Sequence, residues 1–398
     1  MATLNLGLQV SLLLSLLAMY QSSVSGESQV PCFFILGDSL VDNGNNNNLE
    51  TTAKANFPPY GIDFPGGPTG RFSNGRNIAD IIGLSLSLSL SLFDYLHLEG
   101  RIPLELGYLD LGVQIPQFLG FDEYIPPFAT ARDQDILLGV NYGSGGAGIR
   151  DESGTELGAV ISLNQQLLNH QIIVSRIGDL LGSKEEAANY LSKCIYYVGM
   201  GSNDYINNYL QPQYFNTSQI YTPEQYAVVL IQQYSQQLKT LYKHGARKVA
   251  LFGLGLIGCT PSEMTSYGTN GSACVEVVDT DVQLFNEGLS SLVDELNNNL
   301  TDSEFIYVNI TEISTGDASA YGITIANASC CVVSSKSGKG LCAPNLAPCS
   351  NRTLYAYWDG FHPTEVTNLF LATGAYNALT PLISALELDH SDEGSYII

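Results

Sequence analysis

Short apolar runs that stop at Gly or Asn alternate along this chain with long segments whose hydrophobic positions recur every three to four residues. Residues 32–36, 139–142, 194–199, 248–253 and 305–309 are runs of the first kind. Their length and lack of alternation predict strands buried on both faces, as in a parallel sheet. The second kind predicts amphipathic helices with one core-facing stripe each. One stripe runs through Val160, Leu163, Leu167, Leu168 and Ile172, and a second through Ala227, Leu230, Ile231, Tyr234, Leu238 and Leu241. A third takes Val282, Phe285, Leu289, Leu292, Val293, Leu296 and Leu300. Strands alternating with such helices predict an α/β fold, a doubly wound, mainly parallel five-stranded sheet between two helical layers, with ligand sites beyond the carboxyl ends of the strands.

One stretch departs from this pattern. Residues 84–92 alternate Leu and Ser without interruption, and the sequence up to Pro116 shows no clear period. Taken at face value this is an amphipathic strand, but a CT dinucleotide tract translates as alternating Leu and Ser, and residues 84–116 are read in preference as an insertion, either a repeat expansion or a retained intron. Removing them joins residues 77–83 to residues 117–120 as one amphipathic helix ending at a Gly. At the other end of the scale, residues 6–18 form an apolar stretch too short to span a bilayer comfortably. It is followed by polar Gln21-Ser-Ser and the small-residue site Val24-Ser-Gly26, which predicts a cleaved signal peptide over residues 1–26. The remainder, residues 27–398, reads as a single domain, because no Pro/Ser/Gly-rich linker divides it.

Composition agrees with an extracellular globular protein. Of 398 residues, 45% are hydrophobic and 14% charged, enough apolar material for a large core. Sixteen Lys+Arg against 39 Asp+Glu give a formal charge of −23, which makes nucleic acid a poor partner, since phosphate binding depends on Lys and Arg. Glycosylation sequons stand at Asn216, Asn270, Asn299, Asn309, Asn327 and Asn351. Eight cysteines suit the same compartment, and their spacing offers no zinc pattern, so disulfides are expected and no metal is assigned. The connectivity stays open, as do oligomeric state and substrate.

Two distant segments carry the chemistry. Ser39 ends an apolar run in Gly37-Asp-Ser-Leu40, and Asp359-Gly-Phe-His362 lies near the other end of the chain. A hydroxyl, an imidazole to deprotonate it and a carboxylate to hold the imidazole in the right tautomer are the parts of a hydrolytic triad. A Ser at a strand end is more often a turn or cap residue, so the weight rests on the combination. Asn141-Tyr-Gly-Ser-Gly-Gly146 and Gly199-Met-Gly-Ser-Asn-Asp204 each follow a candidate strand. A Gly backbone N–H, the Asn203 amide and the Ser39 N–H can together face a developing oxyanion. The run Asn43-Gly-Asn-Asn-Asn-Asn48 beside Ser39 reads as a turn-rich loop whose amides can also bind substrate.

Taken together, these segments resemble the plant GDSL esterase/lipase family of SGNH hydrolases. The resemblance rests on Gly37-Asp-Ser-Leu-Val-Asp-Asn-Gly-Asn-Asn46, Gly70-Arg-Phe-Ser-Asn-Gly-Arg76, Gly139-Val-Asn-Tyr142, Gly201-Ser-Asn-Asp204 and Asp359-Gly-Phe-His362, and spans about residues 31–385. It implies the three-layer SGNH/flavodoxin-like fold and a secreted serine esterase or lipase without cofactor, acting on a small-molecule or lipid ester. Ser39 would be its nucleophile, His362 its general base, Asp359 the orienting carboxylate, and Gly146 and Asn203 the oxyanion donors. Residues 84–116 have no counterpart in that pattern. Pro363 is expected to hold His362 extended and to open a helix carrying Val366, Leu369, Phe370 and Thr373.

Other functions are weighed on the same residues. Gly-x-Gly-x-x-Gly occurs at 143–148 and 253–258, each after a candidate strand. Pro261 is expected to block a helix directly after the second, and Arg150-Asp-Glu-Ser-Gly154 to delay one after the first. The helix N-terminus that a dinucleotide requires is then missing. An acyltransferase or carbohydrate acetylesterase would use the same triad. A catalytically silent extracellular binding protein would not react with a serine-directed phosphonate.

Overall fold

The computed structural model of the chain describes residues 28–84, 118–334 and 340–393, with side chains through 384. The expected signal peptide, and all of the 84–116 tract except Leu84, lie outside the described residues. The described residues fall into two compact units, one comprising residues 30–82, 125–334 and 340–393, the other residues 28–29, 83–84 and 118–124. In the smaller unit Leu84 forms a parallel bridge to Phe121, and Gln29 N–H donates to Leu119 O at 2.8 Å.

The larger unit is built on a parallel sheet of β1 (Phe33–Gly37), β2 (Ile195–Gly199), β3 (Lys248–Phe252) and β4 (Glu304–Val308), side by side in that order. The strands are in step, with Phe34 opposite Tyr196, Tyr196 opposite Val249 and Val249 opposite Phe305. Because side chains alternate across a strand, this register sorts the sheet into two faces. Phe34, Leu36, Tyr196, Val198, Val249, Leu251 and Phe305 enter one large apolar cluster. That cluster also holds the inward residues of α1 (Leu163–Leu181), α3 (Pro223–Lys243) and α4 (Glu276–Asn299), while α2 (Lys184–Ser192) packs on α1. On the opposite face α5 (Glu365–Glu393) lies against β3 and β4, and Lys248 Nζ donates to the Leu382 carbonyl of α5 at 3.2 Å. Each fully buried Leu, Val or Phe in these layers stabilises the fold by about 1.5–3 kcal/mol.

Five strands were expected in this sheet and four form among the described residues, while Ile325–Ser329 and Tyr355–Tyr357 pair as a separate two-stranded sheet. Residues 139–142 instead run along the free edge of β1 with an isolated parallel bridge, Ile35 to Asn141. The edge is still occupied, since Ile35 N–H donates to Val140 O, and Tyr142 N–H returns a bond to Ile35 O. Regular pairing stops because Gly139 enters at φ 118° and the Asn141 side chain turns back to accept the Gly143 N–H at 2.8 Å. Counting this segment, the spatial order reverses direction at β1, which is the switch point where α/β sheets open a ligand crevice.

Two helical stripes form as expected, through Ala227, Leu230, Tyr234, Leu238 and Leu241 in α3 and through Val282, Phe285, Leu289, Leu292, Val293 and Leu296 in α4. The first stripe is different. Leu168 and Ile172 are 55% and 52% exposed, and the buried face of α1 runs through Leu163, Gln166, Leu167, Asn169, His170, Ile173 and Ile177. Three polar residues on the inward face displaced the apolar count that located it. Gln166 holds the end of β1, its Oε1 accepting Gly37 N–H at 3.0 Å and its Nε2 donating to Gly37 O at 2.8 Å.

All eight cysteines are paired: Cys32–Cys194, Cys259–Cys274, Cys330–Cys349 and Cys331–Cys342. The first joins the chain just before β1 to that just before β2. Among the described residues no helix is long and apolar enough to cross a membrane.

Candidate active site

The register that aligns the strands also aligns their carboxyl ends. Gly37, Gly199, Phe252 and Val308 form one row across the sheet. Ser39 lies two residues beyond the first and Asn203 four beyond the second. Asp38 shapes the turn that carries Ser39, accepting Leu40 N–H on Oδ1 at 2.9 Å while its carbonyl accepts from Val41 and Asp42. Burial pushes the Asp38 carboxyl up to about 6 against these hydrogen bonds.

His362 arrives from the other end of the chain. Trp358 N–H donates to His362 O at 2.7 Å, and Tyr357 bridges Pro363 antiparallel, so residues 357–363 close a tight loop. Pro363 itself belongs to that bridge, and the helix behind it opens two residues later, at Glu365. Glu365 N–H donates to Asn74 Oδ1 at 2.8 Å, and the Glu365 carboxylate meets Arg76 at 3.2 Å, both buried. Residues 70–76 therefore anchor the start of α5, and Phe72 lies tilted against the His362 ring with centroids 4.8 Å apart.

The three candidate groups form a continuous chain of hydrogen bonds. Ser39 Oγ stands 2.8 Å from His362 Nε2, and His362 Nδ1 stands 2.8 Å from both carboxylate oxygens of Asp359. Asp359 is fully buried, and it also accepts the backbone N–H groups of Phe361 and His362 and the Tyr60 hydroxyl at 2.6 Å. Four donors on one carboxylate leave it no freedom to rotate, which fixes the His362 tautomer with its proton on Nδ1 and Nε2 as acceptor. Tyr60 is in turn held by Cys342 N–H at 3.1 Å, tying the site to the small core of Cys331, Cys342 and Trp358.

Ser39, Gly146, Asn203 and His362 line one cavity of about 690 Å³. The N–H groups of Ser39 and Gly146 donate to no acceptor among the described residues. Gly146 holds φ 83°, a left-handed conformation that favours glycine, and an added Cβ would stand 3.0 Å from Val160. The Asn203 amide spends one proton on Ala147 O at 2.9 Å, its oxygen accepts Asn207 Nδ2 at 2.6 Å, and its second proton is unspent. Unused donors beside a nucleophile can stabilise an oxyanion. Away from Ser39 the cavity wall is mainly apolar, with Leu254, Ile257, Met264, Ile310, Phe370 and Leu371, interrupted by Thr260, Ser314, Thr324 and Asn327.

The two glycine motifs meet at this cavity. Gly146 comes from the first, and Gly253, Gly255 and Ile257 of the second line the wall. Contrary to expectation, Pro261 opens a helix, Pro261–Tyr267, by occupying its first position, where a missing N–H costs nothing. Of the sequon residues, Asn216, Asn270, Asn299, Asn327 and Asn351 are exposed, while half-buried Asn309 caps the helix Ile310–Ser314.

Tyr60, Phe72, Gln166 and Arg76 complete the site, and sequence reasoning gave none of them a role. Tyr60 acts across 299 residues of chain, a distance at which no spacing rule operates. Phe72 and Arg76 lay within the 70–76 motif, and Gln166 carried a weaker signal as one of three polar residues on the inward face of a helix.

The chain is similar to known proteins over most of its length. A family model described as GDSL-like lipase/acylhydrolase matches residues 33–374. Among curated proteins, a GDSL esterase/lipase of Arabidopsis thaliana is 44% identical over 363 residues, which is 90% of this chain and 91% of the relative. Two further GDSL esterase/lipases of that plant are each 45% identical, covering 87% and 88% of the chain and the same shares of themselves.

Proposed function

Since the chain belongs to the GDSL-like lipase/acylhydrolase family and is a carboxylic ester hydrolase, we propose that it works through a Ser39 acyl-enzyme, with His362 as general base and Asp359 as its orienting partner. The observation that carries this reading is the unbroken series Ser39 Oγ, His362 Nε2, His362 Nδ1 and Asp359 at 2.8 Å spacings, opening on a cavity with unspent N–H donors.

In the first step Ser39 Oγ attacks the ester carbonyl carbon while its proton passes to His362 Nε2. The carbonyl oxygen takes up the negative charge against the N–H groups of Ser39 and Gly146 and the Asn203 amide. The C–O bond to the alcohol breaks, and the alcohol leaves with the proton held by His362. Water then gives a proton to His362 and attacks the acyl carbon, and Ser39 Oγ departs and regains that proton, releasing the carboxylic acid. The apolar wall supports an acyl chain, hence a lipid-derived ester, as the substrate class. The disulfides, the sequons and the leader-like residues 1–26 support action outside the cell, in the apoplast or cell wall of a plant. In this reading residues 27–398 are one hydrolase domain and residues 84–116 an insertion within it.

Hydrolysis of an ester series of graded acyl length by the protein and its Ser39→Ala variant tests the proposal. The variant is expected to fall by at least about 10⁴-fold on every ester, and equal rates in the two proteins would refute it.

A further inference from the structure

Within the Asn-rich run beside Ser39, Asn45 and Asn46 donate to carbonyls of the loop that carries Gly146. We propose that Asn46 is a positioning residue for the oxyanion donor, an inference that rests on the Ser39 acyl-enzyme reading.

Gly145 and Gly146 have no side chains to bias their torsions, so the peptide between them can present either its N–H or its C=O to the cavity at little intrinsic cost. Only the first arrangement stabilises an oxyanion. A trans peptide is planar with its C=O and N–H pointing in opposite directions, so whatever grips the Gly145 oxygen aims the Gly146 N–H. That grip is Asn46, whose Nδ2 donates to Gly145 O at 2.8 Å.

Asn46 is itself immobilised. Its second amide proton goes to Ala53 O at 2.9 Å, and its Oδ1 accepts the Ser144 hydroxyl at 2.6 Å. The side chain is 2% exposed with every polar site matched, so turning the amide over would set oxygen against two carbonyls. The preceding peptide is pinned as well, because Gly145 N–H donates to Asp42 Oδ2 at 2.9 Å while Asp42 Oδ1 takes Gly44 and Asn45. Space allows no substitute at Gly145, where an added Cβ would lie 2.7 Å from Phe72 and 3.0 Å from Asn46 Nδ2. The neighbouring asparagines spend their amides elsewhere: Asn43 on Ile125 O, Asn45 on Asn141 O and Gly143 O, and Asn47 on Thr69 O. Asn46 alone of this run touches the peptide that ends in the Gly146 N–H.

The test separates positioning from folding. Steady-state kinetics on a short soluble ester and the inhibition constant of an alkyl boronic acid are measured for the wild type, Asn46→Asp, Asn46→Ala, Ser144→Ala and Asn47→Ala. The boronate bonds to Ser39 Oγ as a tetrahedral anion and so reports on the oxyanion donors. Asn46→Asp keeps the shape of the side chain but cannot donate to Gly145 O. In both Asn46 variants kcat is expected to fall about 10²-fold with KM within about threefold, and boronate affinity to fall by a similar factor. Ser144→Ala, which removes one of the three bonds that hold the Asn46 amide, gives a smaller loss in the same two quantities, and Asn47→Ala gives none. Folded Asn46 variants with wild-type boronate affinity would overturn the proposal, as would failure of the Asn46 and Ser144 variants to fold at all, which assigns Asn46 to folding alone. Failure of the wild type to bind boronate would instead remove the acyl-enzyme reading on which the proposal stands.

Discussion

At the scale of single residues, the site depends on groups whose partners leave them one orientation. Asp359 accepts four hydrogen bonds, and the shortest comes from the Tyr60 hydroxyl at 2.6 Å. Tyr60→Phe removes that charge-assisted bond while keeping the ring packed among Phe57 and Phe72. We expect kcat to drop about tenfold with KM little changed, as suits a bond worth about 1.5 kcal/mol to the orientation of His362. An unchanged kcat would mean that the backbone donors suffice. Gly146 makes a sharper case, since Gly146→Ala must place a side chain at φ 83° and 3.0 Å from Val160. The expected result is a kcat lower by about 10²-fold, read on a soluble ester, because the donor moves while the substrate pocket stays. A loss confined to KM would place Gly146 in substrate binding instead.

At the scale of elements, strand ends matter more than strand interiors. Gln166 reaches from α1 to satisfy both the N–H and the C=O of Gly37, two residues before Ser39. Gln166→Leu leaves the Gly37 N–H buried without its partner, while Gly37 O keeps the Ser144 N–H at 3.1 Å; a loss of about 1–3 kcal/mol in urea unfolding is expected, while Leu168→Gln on the exposed side of the same helix changes little. What made this architecture readable is that buried parallel strands are continuous apolar runs, so β1 to β4 stood out directly. The segment 139–142 was read with them, but Gly139 and the inward-turning Asn141 end its ladder after one bridge, and composition does not record the hydrogen bond from the Gly143 N–H to the Asn141 side chain. The face of α1 was misassigned by one polar rule, since Gln166 and His170 are buried because they are hydrogen-bonded. Ser39, Asp359 and His362 were legible because the order of the groups within two short segments is chemical. Tyr60 was not, because its partner is chosen by tertiary folding alone.

At the scale of the whole molecule, buried titratable groups couple the core to pH. His170 lies fully buried with Nδ1 3.0 Å from the Tyr142 hydroxyl, ringed by Phe34, Tyr196 and the His244 imidazole, and burial pushes it down from 6.5 to about 3. The unfolded chain takes up this proton first as pH falls, so the stability His170 contributes is present above about pH 6.5 and is lost progressively toward pH 3. Asp38, Asp42 and Asp204, each raised by burial to about 6, act in the opposite sense, gaining stability as pH falls from about 6 toward 3.8. His170→Gln isolates the first effect: the melting midpoint of the wild type relative to the variant should decline between pH 7 and pH 4, and a constant difference would contradict a neutral buried imidazole. Over the same scale, 320 residues of chain separate Ser39 from Asp359, and a parallel sheet with its carboxyl ends in one row is what lets them meet. That convergence on a single acyl-enzyme is the centre of the account. It is tested most directly by quenching the reaction with a p-nitrophenyl ester in acid and mapping the adduct by mass spectrometry. The account predicts one acyl group per chain, on the peptide containing Ser39 and absent from Ser39→Ala, whereas turnover with an adduct on another residue, or undiminished turnover in Ser39→Ala, would contradict it.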